Sequence, residues 1–178
     1  MKSDVGIALK NLIFAVSTLM AAVHKLTEDL YEDSFDLIAL HTSLEDFALG
    51  YALNLALKSN FKRRRRDLDI SARVTIPIFE WKDDLNDRYW TFFTNKGISQ
   101  DVVAENGFFK EEPSYRNYHM ISEYREVDYF LKIEQDGSES HRQAENEKIT
   151  TRLLTISKVI TAYTVETQKL KSKNNLIF

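Results

Sequence analysis

Glu80 and Lys82 flank Trp81 at the end of a stretch that alternates like a β-strand, and that acid-x-lysine spacing can do chemistry. A carboxylate paired with a second acid, here Asp67 or Asp69, can hold Mg²⁺. A lysine two residues on, on the same strand face, can activate water or steady charge at a phosphate. Just upstream lie Lys62, Arg63, Arg64, Arg65 and Arg66, a basic run able to grip phosphates or an acidic partner. The competing account is a helix C-terminus, where positive charge suits the helix dipole and the arginines pair with Asp67 and Asp69. Aromatic interleaving, the mark of base stacking, is limited to Phe61, so the pattern favours the helix end over a nucleic-acid interface.

A second group has binding character. Tyr115, Arg116, Tyr118 and His119, with Trp90 and Phe92 from the strand before them, offer aromatic faces and a guanidinium to a flat or anionic small molecule. Set against it is a loop that packs its tyrosines over a sheet. Other chemistries find no residues. Asp83, Asp84 and Asp87 lack calcium-loop spacing, and His24, His41, His119 and His141 stand too far apart in sequence to form a paired metal motif. The five glycines are too scattered for a phosphate-cradling loop, and with no cysteine there is neither thiolate chemistry nor a disulfide. The reading therefore assigns no catalytic residue, no metal ligand and no named cofactor.

The elements that position these groups follow from periodicity. Leu9, Leu12, Val16, Leu19, Val23 and Leu26 step by three and four, as do Ile149, Leu153, Ile156, Ile160 and Tyr163. That rhythm predicts a long helix at each end, over 1–33 and 145–173, each with a coiled-coil seam. Between them, 42–137 reads as a helix plus a sheet core. Thr42 and Glu45 have capping-box spacing for a helix running to about Phe61. Residues 34–41 read as a short helix or bend. Val74 to Phe79 alternates as a strand with Pro77 at an edge or bulge, 89–94 is the returning strand, and 127–133 a further one. Ser99 caps a short helix closed by Gly107, and 113–119 is a loop. The expected fold is α+β: one domain over 1–178, with a small, mostly antiparallel sheet flanked by long N- and C-terminal heptad-patterned helices. The uncharged stretch 12–23 is too short to span a bilayer and its heptad runs on through Leu26, so neither a membrane span nor a cleaved leader is expected. At 43% hydrophobic residues the chain can bury a core, and its net charge of −3 argues against a surface devoted to nucleic acid.

Two resemblances follow from these residues. Glu80-Trp81-Lys82 resembles the acid-x-Lys element of the PD-(D/E)xK nucleases, which would imply a metal-dependent nuclease or nucleic-acid-binding protein. Residues 72–80, 89–97 and 98–107 resemble the first strand, second strand and short helix of a GAF-type sensory domain, a likeness of pattern covering roughly 42–170. That second resemblance implies a non-enzymatic regulatory or adaptor protein, cytoplasmic and homodimeric through its long helices, that binds a small molecule or a protein partner. Leu9, Leu12, Val16, Leu19, Val23, Leu26, Ile156, Ile160 and Tyr163 would form the dimer interface.

Overall fold

Phe35, Leu37 and Ala39 are buried on one side of an extended segment, and Ile38 and Leu40 on the other. From Leu37 to Leu40 every position is apolar, which suits a strand covered on both faces. The segment forms β1 (Asp36–Thr42), an interior strand one place in from the edge of the sheet, rather than a short helix or bend. The computed structural model describes residues 35–71, 74–102 and 113–178. The expected N-terminal helix over 1–33, with seam residues Leu9, Leu12, Val16, Leu19, Val23 and Leu26, lies outside them.

Six strands form the main sheet, in the order β10 (Val159–Val165), β1, β9 (Tyr129–Gln135), β6 (Arg88–Thr94), β5 (Ile78–Asp83) and β2 (Lys62–Arg63). All neighbours are antiparallel. Two helices cover one face, α1 (Asp46–Leu57) and α2 (Glu139–Leu153). Leu49, Leu53 and Leu57 of α1, with Ile149 and Leu153 of α2, bury against Ile38, Leu40, Phe92, Leu131 and Ile133. Gly50 lets α1 approach closely, since a Cβ there would come within 3.2 Å of Phe92 Cζ. Tyr129 Oη donates to Asp46 at 2.8 Å and anchors the start of α1, while Gly137, at φ +140°, turns β9 toward α2.

Among the described residues the other face carries no helix of this length. It is closed by β3 (Leu68–Ser71) and β4 (Val74–Ile76), by Met120 and Ile121, and by the chain's last residues, including Leu170 and Leu176. Lys132 is buried there, its ammonium 4.9 Å from the Phe35 ring, 5.0 Å from Phe178, and 3.0 Å from Glu134 Oε1. Asn95, fully buried, accepts the Ile121 N–H at 2.8 Å and donates to the Tyr124 carbonyl at 2.7 Å, tying the exit of β6 to the turn beyond β8 (Pro113–His119). Glu123 holds the C-terminal segment by accepting the backbone N–H groups of Lys171 and Ser172, at 2.6 and 2.9 Å, and the Ser172 hydroxyl. Burial works against the ionised form, yet these hydrogen bonds bring the Glu123 carboxyl down to about 2.

The fold is therefore mostly sheet, which corrects the expected class. The long C-terminal helix over 145–173 does not form: α2 ends at Leu153, Lys158 turns the chain with φ +71°, and β10 follows. Val159, Ile160, Thr161, Tyr163, Thr164 and Val165 are β-branched or aromatic, and pairing with β1 outweighs the helical three-four spacing, which a strand splits between its two faces. Ile156, Ile160 and Tyr163 thus form no helical seam, and no coiled coil exists among the described residues. Four smaller expectations also change. Helix α1 ends at Leu57, with Glu45 at its N-cap and no side-chain cap. Pro77, unable to donate in a ladder, separates β4 from β5. Ser99 lies in β7 (Lys96–Val102), not at a helix cap, and 113–119 is strand β8, not a loop.

Candidate functional site

Trp81 and Trp90 face each other across the β5–β6 hairpin, with ring centroids 5.0 Å apart and planes at 89°. Antiparallel pairing puts both on the helix face, and Arg88, two residues before Trp90, shares that face. Above them α2 presents Glu145, Lys148, Ile149 and Arg152, a spacing that brings four side chains onto one stripe. With Leu57 at the end of α1 these residues line a cavity of about 90 Å³.

The chemistry of that lining is distinctive. Arg88 donates to Glu145 Oε1 at 2.8 Å and sits 5.9 Å from the Trp90 ring. Lys148 and Arg152 have no ion-pair partner among the described residues. Three cations therefore meet one carboxylate. Trp90 is 3% exposed, and its Nε1 has no hydrogen-bond partner among the described residues. Gln135, opposite Arg88 on β9, holds both side-chain polar atoms buried and unpartnered in the same sense. Leaving a buried donor unmade costs on the order of 1–3 kcal/mol, so polar groups of this kind call for a partner.

The volume admits a small polar group: a carboxylate, a phosphate or a few waters fit, a drug-sized molecule does not. A second, more open hollow of about 250 Å³ lies at the other end of the sheet, between Thr42, Thr94, Lys96 and Asp128. There Asp128 is already engaged, by Lys96 at 2.7 Å and by the Thr42 N–H at 3.0 Å.

The other candidate residues disperse. Phe92 is fully buried beneath α1 in the helix-side core, stacked on Phe79. Tyr118 packs against the opposite core. The backbones of Tyr115 and Arg116 lie in β8, opposite Gln100 and Ser99, and His119 pairs with Lys96. Of the proposed ligand residues whose side chains are described, Trp90 alone lines the cavity. Its partners Arg88, Lys148 and Arg152 carry no motif, and the stripe on α2 is the only sequence signal that could have pointed to them.

The Glu80 element is occupied otherwise. Tyr89 Oη donates to Glu80 at 2.8 Å, and burial together with that carboxylate pushes the Tyr89 phenol above its ordinary value. Arg64 approaches Glu80 at 3.7 Å, while exposed Lys82 pairs with Asp84 at 3.2 Å. Asp67 is taken by Arg63 at 2.6 Å. Among the described residues no three acidic or histidine side chains gather as metal ligands.

No family model, curated protein or solved structure matches this chain.

Proposed function

We propose that this chain is a non-enzymatic regulatory binding protein that captures a small anionic group, a carboxylate or phosphate, in the cavity beside Trp90. The observation that carries the reading is the buried, unpartnered Trp90 N–H among Arg88, Lys148 and Arg152. An anion would accept from the indole and from half-buried Arg88, with exposed Lys148 and Arg152 adding charge-assisted hydrogen bonds at the rim. The GAF-type resemblance supports a regulatory role, and the cytoplasm is the compartment proposed. Homodimerisation is proposed as well, with the apolar spacing of Leu9 to Leu26 as its support.

The chain's two tryptophans both line the cavity, so intrinsic tryptophan fluorescence reports on this site alone. Titration with inorganic phosphate and with acetate should give a saturable change in emission. Lys148→Gln/Arg152→Gln should weaken it by about tenfold or more. Emission that stays flat up to roughly 10 mM of either anion, a binding free energy weaker than about 3 kcal/mol, would remove the proposal.

A further inference from the structure

The outward side of α1 takes no part in the cavity, and it reaches the core at one margin, where Phe47 meets Phe79 edge-on with ring centroids 5.4 Å apart. Phe47, Tyr51 and Leu55 follow one another at four-residue steps, and they are 67%, 68% and 65% exposed. Leu49, Gly50, Leu53 and Leu57 fill the inward side, so this helix is apolar around most of its circumference. One exposed leucine needs no explanation, whereas a row of three large apolar side chains marks a contact surface.

The row runs directly into positive charge. Asn54 accepts the Phe61 N–H at 2.6 Å and donates to the Phe61 carbonyl at 3.1 Å, which fixes where the chain leaves α1 and where the basic run begins. Arg63 then lies 5.9 Å from the Phe47 ring centroid. Lys58, Lys62, Arg65 and Arg66 are exposed and have no ion-pair partner among the described residues, while Arg63 and Arg64 have Asp67 and Glu80.

We infer that this apolar ridge and its basic flank form a docking surface for an anionic lipid bilayer, with α1 lying flat at the interface. Phe47, Tyr51 and Leu55 enter the boundary between headgroups and acyl chains, and the unpaired cations meet lipid phosphates and carboxylates. Charge complementarity selects an anionic partner, and shape selects lipid. The three side chains project as knobs rather than lining a groove. A fluid interface accepts knobs in any arrangement, whereas a protein partner has to supply a matching hollow. This is contact with a surface and not a span: among the described residues no helix is long and apolar enough to cross a membrane.

Co-sedimentation of the full chain with vesicles tests it, using phosphatidylcholine alone and a mixture in which about a third is phosphatidylserine. The expected result is at least about tenfold stronger partitioning onto the anionic vesicles, weakening as salt is raised. Phe47→Ser/Leu55→Ser and Arg65→Gln/Arg66→Gln should each cut that partitioning by about tenfold, with circular dichroism unchanged to show folded protein. Equal binding to both vesicles, or undiminished binding by the Phe47→Ser/Leu55→Ser variant, overturns the inference. Loss of vesicle binding in Arg152→Gln would overturn it too, by placing the headgroup in the tryptophan cavity. Capture of an acidic amphipathic peptide with no vesicle binding would reassign the ridge to a protein partner.

Discussion

The two helices lie on the same face of the same sheet and differ on the side turned away from it. Helix α2 buries Asn146, Ile149 and Leu153 and gives the rest of its surface mostly to charged and polar residues. Helix α1 buries Leu49, Gly50, Leu53 and Leu57, yet its outer side carries Phe47, Tyr51 and Leu55. A solvated helix needs only one apolar stripe, as α2 has. The second stripe on α1 meets the described core at the edge of Phe47 and otherwise exposes apolar surface to water, so its explanation lies outside the fold.

If the helices differ only on their outer sides, their inner sides should respond alike. Leu53→Ala and Leu153→Ala, both at fully buried positions, should each cost about 2–5 kcal/mol in urea unfolding. A much smaller loss at Leu153 would mean that α2 is held chiefly by its ion pairs, and the comparison would fail. Gly50→Val probes the close approach that only α1 makes. Its side chain must push into Phe92 and should cost about 1–3 kcal/mol, while Ala144→Val on exposed α2 should cost well under 1 kcal/mol.

Acid should separate the helical face from the other one. Glu123 sits near 2 in the folded chain against an ordinary 4.5. A lowered carboxyl stabilises the fold above its unfolded value, and that contribution disappears as pH falls from about 4.5 towards 2. Hydrogen exchange at Lys171 and Ser172 should therefore quicken across that window before the amides of α1 or α2 respond, and Glu123→Gln should abolish the pH dependence. Uniform exchange across both faces would show that the C-terminal segment does not open separately.

The smallest effects are expected on the outer sides. Tyr51→Ser and Leu55→Ser on α1, like Glu147→Ala on α2, should change stability by no more than about 0.5 kcal/mol. A loss above about 1 kcal/mol at Phe47, which meets Phe79 edge-on at 5.4 Å, would show that this ring belongs to the core and would shorten the ridge to Tyr51 and Leu55.

Local signals located several elements well. The hairpin from β5 to β6, with its polar turn around Asp84 and Asn86, and strand β9 ending at Asp136-Gly137 follow from alternation and turn chemistry. The absence of thiol chemistry was equally plain, but the buried side of α1 was not: apolar spacing at Phe47, Ala48, Tyr51, Ala52 and Leu55 points to one side, whereas the sheet takes Leu49, Gly50, Leu53 and Leu57. Trp90 was legible as a candidate. Its cavity was not, because Glu145, Lys148 and Arg152 lie more than fifty residues away on a helix whose residues look like ordinary solvated charge.

Only the tertiary structure decided the rest. Apolar residues three and four apart satisfy a helix, but in Val159, Ile160, Thr161, Ala162, Tyr163, Thr164 and Val165 they sit among β-branched neighbours that a strand also accepts. The choice fell to β1, whose backbone groups pair along that length and would otherwise be left as an open sheet edge. The burial of Lys132 between Phe35 and Phe178 was settled in the same way. Periodicity records which side of a segment is apolar. Which partner covers that side depends on non-local pairing, and pairing between distant segments leaves no mark on either one read alone.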